Sequence, residues 1–476
     1  MRLRITRNGL NHLSSRVKDL IDSHKDQLLK DVDLSGQRTF MGSRVAYTAA
    51  VTQFSAPSSH FSLVDDQERK LNLRLSGRLV AGSVGCSVKA TVNDLGMEMG
   101  LELALNEGHV HVSIDSCSMP NLEIGYVIDC GAAGLVGQVT SHLESYFMDH
   151  LKAKFCEAVS QKLPPEINEW LGSAMDAKLP FERRSEVTIL VSDVKAVKRT
   201  TSAGKRLEYL DVDFGVKLKK VDGTVVDIQS GEIPESDRVR KQLWGCVSQG
   251  AITHALDIAH GMNLINFNIS TVNLGGRLKP EFKTTCVDSN DQQCIGNVLP
   301  RLATQHPNKA VWVNVRSKEA PTVEISPGSI QVQFDAHFDL YVESTRIFRS
   351  ELSTQVGVDL LSRGEDSEGT TFNYPRTWSF SATFSPNLAE ATFTIVQSAI
   401  GDIQGDLSAK SRKLLDFFDK SVLAVIHENL SNGIKVPETP LIFFKEVRVR
   451  PEEGAVCATA DMRPGATAVT QFGLYN

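Results

Sequence analysis

The chain has 476 residues, with 51 Lys plus Arg against 57 Asp plus Glu and a formal net charge of −6. That balance, with no Lys/Arg block interleaved with aromatics, argues against nucleic acid as a partner, and no apolar run approaches the ~18 residues of a membrane-spanning helix. The length exceeds what one small core can organise, so two domains or an elongated tandem are expected.

The start, Met1-Arg-Leu-Arg-Ile-Thr-Arg7, alternates like a strand and lacks the apolar centre of a signal peptide, so for a secreted protein the export signal is expected to have been removed or missed. A helix is predicted from Gly9 to Leu29, with Leu10, Leu13, Val17, Leu20, Ile21 and Leu28 on one face and Arg16, Lys18, Asp22 and Lys25 opposite. Half-buried antiparallel strands follow, among them Leu71 to Ser76 and Met97 to Leu105, with turns expected at Gly82, Gly85 and Asn106-Glu-Gly108. Alternation continues from His109 to Ile128 as one extended segment. Then Leu135, Val139, Leu143, Phe147, Leu151, Phe155, Val159 and Leu163 place an apolar residue at every fourth position, which marks an amphipathic helix of about 45 Å.

A strand running out and a helix running back select a disulfide. From Cys117 the chain travels about 40 Å in extended form and then about 33 Å back along the helix to Cys156, so those two can meet. Cys130 is held too far from Cys156 by the intervening helix. Cys286 and Cys294 close a short polar loop. Eight cysteines with two such pairs point to an oxidising, extracellular setting and leave Cys86, Cys130, Cys246 and Cys457 unassigned. A zinc site would need four ligands at short paired spacings, and no metal or cofactor is expected.

Alternating strands run from Glu186 to about Val226, and Gly231 to Arg240 is the best linker candidate. A helix from Ser248 to His260 carries Ile252, Ala255, Leu256 and Ala259; strands are expected from Met262 to about Phe393. A closing helix from Leu407 to Leu430 carries Leu415, Phe418, Val422 and Ile426 and stops before Asn432-Gly433 and Pro437. Helix, strands and long helix thus occur twice, which suggests two similar units. The expected division is 1–185, 186–240, 241–435 and 436–476.

Cys130-Gly-Ala-Ala-Gly-Leu-Val-Gly137 is spaced G-x-x-G-x-x-G, not as a dinucleotide fingerprint, and reads as a strand-to-helix turn. His109 and His111 share a strand face without a third ligand nearby. No nucleophile elbow, zincin helix or phosphate loop occurs, so catalysis is not expected. Asn268-Ile-Ser and Asn429-Leu-Ser are glycosylation sequons, of which Asn268 is the better candidate.

Four segments carry a resemblance to a known family: Arg4-Ile-Thr-Arg-Asn-Gly-Leu-Asn-His-Leu13; Cys117 with Phe155-Cys156-Glu-Ala-Val-Ser-Gln-Lys-Leu163; Trp244-Gly-Cys-Val-Ser-Gln-Gly-Ala251; and Asn429-Leu-Ser-Asn-Gly-Ile-Lys-Val-Pro437. In order along nearly the whole chain, they resemble the lipid-binding proteins that include bactericidal/permeability-increasing protein, lipopolysaccharide-binding protein and the plasma lipid transfer proteins. The resemblance implies an α+β boomerang of two barrels, each a twisted antiparallel sheet around long helices, joined by a central sheet. It implies a secreted, monomeric, non-catalytic protein holding phospholipid acyl chains in apolar pockets, with a membrane or lipoprotein surface as further partner. The lining would come from Leu13, Val17, Leu20, Ile21, Val139, Leu143, Phe147, Leu151, Ile252, Leu256, Leu415, Phe418, Val422 and Ile426. The alternative is innate-defence recognition of lipopolysaccharide, which the family's endotoxin binders achieve with a lysine-rich tip. This chain departs from that pattern: residues 1–180 hold 18 Lys plus Arg against 21 Asp plus Glu, and the tip region offers only Arg38, Arg44, Arg78 and Lys89. A neutral or zwitterionic lipid is favoured. A mixed α/β interaction protein with filled barrels is the third reading.

Overall fold

The structure, a computed structural model, describes residues 1–29, 35–40, 43–64, 67–84, 87–129, 136–175, 179–181, 185–200, 204, 206–219, 223–228, 231–233, 241–270, 282–286, 294–365, 377–387, 390–401, 434–435 and 443–463. Among these residues the chain forms a mixed fold dominated by three antiparallel sheets.

A central sheet takes strands from distant parts of the chain. Its order is Phe443–Glu452, Ala455–Arg463, Leu243–Ser248, Arg2–Thr6, Arg206–Lys219, Ser185–Thr200 and Leu179–Phe181, with Val225–Ile228 added against Arg206–Lys219. The opening strand lies between two others, Arg4 facing Asp211 on one side and Trp244 on the other. Period-two alternation then divides its residues. Leu3 and Ile5 pack toward the apolar clusters beneath the sheet, whereas Arg2 and Arg4 meet Asp213 and Asp211 on the opposite face. Over that face lies the beginning of the expected linker, where Gly231 N–H donates to Ser248 Oγ at 2.9 Å and Ile233 packs on Trp244 and Cys246.

The second sheet is a meander of Gly36–Phe40, Ser43–Leu63, Lys70–Val84, Ser87–Asn106 and His109–Asp129. Its last four strands run 15 to 21 residues, and strands of up to about 70 Å cannot remain flat. Bulges interrupt every pairing of these four strands, for example at Val51/Gln53, Gly77/Leu79 and Val92/Asp94, adding the local twist that curls the sheet. The turn expected at Asn106-Glu-Gly forms as a two-residue hairpin with positive φ at Glu107 (51°) and Gly108 (85°). Gly82, expected in a turn, instead lies inside Lys70–Val84 opposite Lys89, because neighbouring strands extend the ladder past it.

Two helices line this curled sheet. The first is Arg7–Leu29, and the second runs 40 residues from Val136 to Met175, beyond the stripe that ends at Leu163. Pro164 and Pro165 sit within it; lacking N–H groups, they leave the carbonyls of Ser160 and Gln161 without the usual intrahelical donors, yet packing carries the helix onward. Leu163 and Ile167, on either side of the prolines, are both buried. Cys117 and Cys156 are bonded, with Cα atoms 5.7 Å apart, tying strand to helix.

The third sheet has the order Asn266–Ser270, Val311–Ser317, Ser329–Val342, Thr345–Glu365, Thr377–Pro386 and Ile434–Lys435, with Thr322–Ser326 and Thr392–Ser398 on side branches. The helix Gln249–Gly261 precedes it, N-capped by Ser248, whose Oγ accepts from Ala251 N at 3.3 Å. Where only strands were expected, two short helices, Ile295–Val298 and Pro300–Gln305, bury Ile295, Val298 and Leu302 in the end of the sheet. The Cys286–Cys294 bridge leads into them. A third bridge, Cys246–Cys457, crosses directly paired strands of the central sheet. Cys86, Cys130 and the expected helix Leu407 to Leu430 lie outside the described residues.

Candidate functional site

The apolar face of the first curled sheet and its helices meet in one continuous cluster. Leu73, Leu75, Met97, Met99, Val112 and Met119 of the sheet pack with Val17 and Ile21 of the first helix and Leu151, Phe155 and Val159 of the long helix. Of the expected lining residues, Val17, Ile21 and Leu151 are therefore brought together here, with Leu13 at the border. At this level, next to the central sheet, side chains fill the space: Leu151 is 0% exposed and Val17 7%. Val139, Leu143 and Phe147 fall on the part of Val136–Met175 that runs about 20 Å beyond Leu151. Their side chains, like that of Leu20, lie outside the described set.

Ile252 and Leu256 belong to a different surface. They pack half-buried from the helix Gln249–Gly261 onto Val323, Ile325 and Ile330 of the third sheet. The same sheet face continues through Val332, Phe334, Val358 and Leu360, also half-buried, before reaching a filled cluster around Phe282, Phe338 and Phe348. These half-buried apolar residues lie beside buried Val356 and Thr354, which pair with Val332 and Phe334, between the two clusters. Sequence reasoning missed Val332, Phe334, Val358 and Leu360, although each occupies an alternate strand position, because alternation marks a buried face without saying how completely it is covered. Leu415, Phe418, Val422 and Ile426 are outside the described residues.

For the four tip cations the strand register gives backbone positions. Along Ser43–Leu63, Arg44 pairs with Thr39 near the start of the strand, Lys89 lies level with Ala50 through Gly82, and exposed Arg78 stands opposite Ser55. From Arg44 to Ser55 is roughly 35 Å of strand. Arg38, opposite Val45, belongs to the same end as Arg44.

His109 and His111 stand near the long helix, where Asn168 does structural work. Its Oδ1 accepts from Val112 N at 2.7 Å and its Nδ2 donates to Val112 O at 2.9 Å, imitating a strand partner on the sheet edge. The same Nδ2 lies 3.2 Å from His111 Nε2. Among the described residues no three His, Cys, Asp or Glu side chains are placed to hold a metal, and no helix is long and apolar enough to cross a membrane.

The first sheet is curled and antiparallel, with an apolar inner face lined by two helices. Residues 247–463 match the C-terminal domain of the LBP / BPI / CETP family. Human lipopolysaccharide-binding protein is 21% identical over 285 residues, which span 59% of this chain and only 55% of that relative. The crystal structure of lipopolysaccharide binding protein superposes with a TM-score of 0.56 at 15% identity, covering 98% of this chain and 99% of the other, and so shares the fold. The similarity to the LBP / BPI / CETP family thus rests on residues 247–463, and the likeness of the whole chain to a solved structure is one of fold.

Proposed function

We propose that this protein binds phospholipid without catalysis, taking acyl chains against the apolar inner faces of its sheets, and that it does so as a secreted monomer shaped as two barrels about the central sheet. The observation that carries this reading is the set of half-buried apolar residues Ile252, Leu256, Val332, Phe334, Val358 and Leu360 within the region that matches the LBP / BPI / CETP family. Acyl chains suit such residues, since each buried methylene contributes about 0.8 kcal/mol without any directional partner. The three bridges among the described residues fit an oxidising compartment. Recognition of lipopolysaccharide is the second reading, supported by the names of the relatives. The small number of cations in the tip region, Arg38, Arg44, Arg78 and Lys89, whose strand positions run from the pair Arg44–Thr39 to the pair Ser55–Arg78, favours a neutral or zwitterionic headgroup instead.

Mass spectrometry of organic extracts from the purified, folded protein tests the reading and should find phospholipid in near-stoichiometric amount. Leu256→Asp should lower lipid per folded molecule several-fold while the protein stays soluble. If these residues are ordinary core, the same carboxylate would instead cost folded yield and leave lipid content per folded molecule unchanged.

A further inference from the structure

The outer face of the third sheet carries a polar and aromatic surface that lipid binding does not use. Ile269 is 1% exposed and anchored in the core, so Asn268 and Ser270 turn to the opposite face, where Asn268 is exposed. The strand Asn266–Ser270 ends the sheet order, with Asn268 paired to Asn314 and Ser270 to Trp312. Asn314 Nδ2 donates to Asn268 Oδ1 at 2.7 Å and to Asn266 Oδ1 at 2.6 Å. The carboxamide of Asn268 is thereby held through its oxygen. Trp312 stands beside it as a fixed wall, stacked on Tyr341 at 3.9 Å with 5° between ring planes and donating its indole N–H to Glu343 O at 2.6 Å. One indole face is taken by Tyr341; the other looks toward the strand that bears Asn268 and Ser270.

We infer that Asn268 carries an N-linked glycan whose first N-acetylglucosamine lies against Trp312. The acceptor sequence Asn268-Ile269-Ser270 is one of two in the chain, the other being at Asn429. In the transfer, Asn268 Nδ2 forms a bond to C1 of the reducing-end sugar of a polyisoprenyl-diphosphate oligosaccharide. The C1–oxygen bond to the polyisoprenyl diphosphate breaks, that diphosphate leaves with the electron pair, and Nδ2 gives up one proton to a base of the transferase. The attached sugar then has a surface suited to it: its C–H groups meet the negative face of the indole, and its polar groups meet Asn266 and Asn314. A glycan here keeps this face in water and leaves membrane or partner docking to other faces.

The inference rests on the extracellular reading, so the test follows both. The full chain is expressed with an export signal in a glycosylating eukaryotic host, and intact mass, peptide mapping and the state of Cys117 and Cys156 are recorded. The secreted, bridged protein should carry a mass increment that peptide N-glycosidase removes. Asn268→Gln and Ser270→Ala should each abolish it at this site, and Asn429→Gln should not. A nuclear Overhauser contact between an N-acetyl methyl and the Trp312 indole, lost in Trp312→Ala, is the sign of the resting sugar. Secreted protein with Cys117–Cys156 intact but Asn268 unmodified overturns the glycan alone. Failure to form the bridge during secretion overturns the extracellular reading as well, and a modified Asn268 without the indole contact overturns the placement on Trp312.

Discussion

Arg4 shows how a single side chain fixes the centre of the molecule. It is 2% exposed, its Nε and Nη2 donate to the two Asp211 carboxylate oxygens at 2.7 and 2.8 Å, and its guanidinium lies 3.7 Å from the Tyr209 ring centroid and 5.2 Å from that of Trp244. Bidentate geometry and two aromatic faces offset the desolvation of the pair. Asp211→Ala should therefore cost about 3 to 5 kcal/mol in urea unfolding, because the cation stays buried without its carboxylate. The double replacement Arg4→Met with Asp211→Leu should recover most of that loss, and a double variant as unstable as the single one would contradict this account. A second residue-scale expectation concerns His337, whose pKa is pushed below the ordinary value by burial first and then by Arg316 and Arg349. The unfolded chain takes up this proton before the native one, so His337 lowers stability as pH falls through about 6.5. His337→Gln should make the unfolding free energy less dependent on pH between 7 and 5; an unchanged slope would remove His337 from the explanation. Neither role was legible beforehand, since Asp211 stands 207 positions from Arg4 and only the sheet register brings them together.

Among the elements, the long helix was readable where its partners are close in sequence. The apolar stripe predicted a helix as far as Leu163, the first part of Val136–Met175, and the outbound strand and returning helix together predicted Cys117–Cys156 from lengths alone. That bridge spans a sequence separation of 39, for which the chain-entropy model gives about 4 kcal/mol. Cys117→Ser with Cys156→Ser should lose about that much, measured by denaturant midpoint at constant m-value. Asn168→Ala removes the clamp on Val112, a residue 4% exposed, and should cost about 1 to 3 kcal/mol. A cost near zero would mean that water replaces the carboxamide there. Cys246–Cys457 escaped prediction for the opposite reason: its partners are 211 residues apart, and their pairing is a property of the central sheet's register. The helices Ile295–Val298 and Pro300–Gln305 were missed because four and six residues are too few for a 3.6-residue period to show. Pro164 and Pro165 would ordinarily end a helix; buried Leu163 and Ile167 show why packing prevails here.

Across the whole molecule the central sheet joins what the chain order separates. Leu13 of the first helix and Phe380 of the third sheet both pack on the cluster of Leu243, Val447, Ala460 and Met462, so both halves share one apolar base. Charge is spread differently. With Arg44 and Arg78 at levels roughly 35 Å apart and a Debye length of about 8 Å at physiological salt, distant cations act singly rather than as one field. On the proposed reading each would contribute on the order of 1 kcal/mol at an anionic surface, enough for steering without a durable hold. Binding to anionic vesicles or lipopolysaccharide should therefore be measurable at low ionic strength and fall away near 0.15 M salt, whereas uptake of phosphatidylcholine should persist. The difference follows from the forces involved: apolar burial at about 0.8 kcal/mol per methylene is not screened by added salt, and exposed charge attraction is. Titration of both vesicle types across the salt range decides the matter. Tight lipopolysaccharide binding that resists salt, and that is lost when Arg38, Arg44, Arg78 and Lys89 are neutralised together, would show that headgroup charge recognition outweighs acyl-chain burial and would replace the phospholipid reading with the endotoxin one.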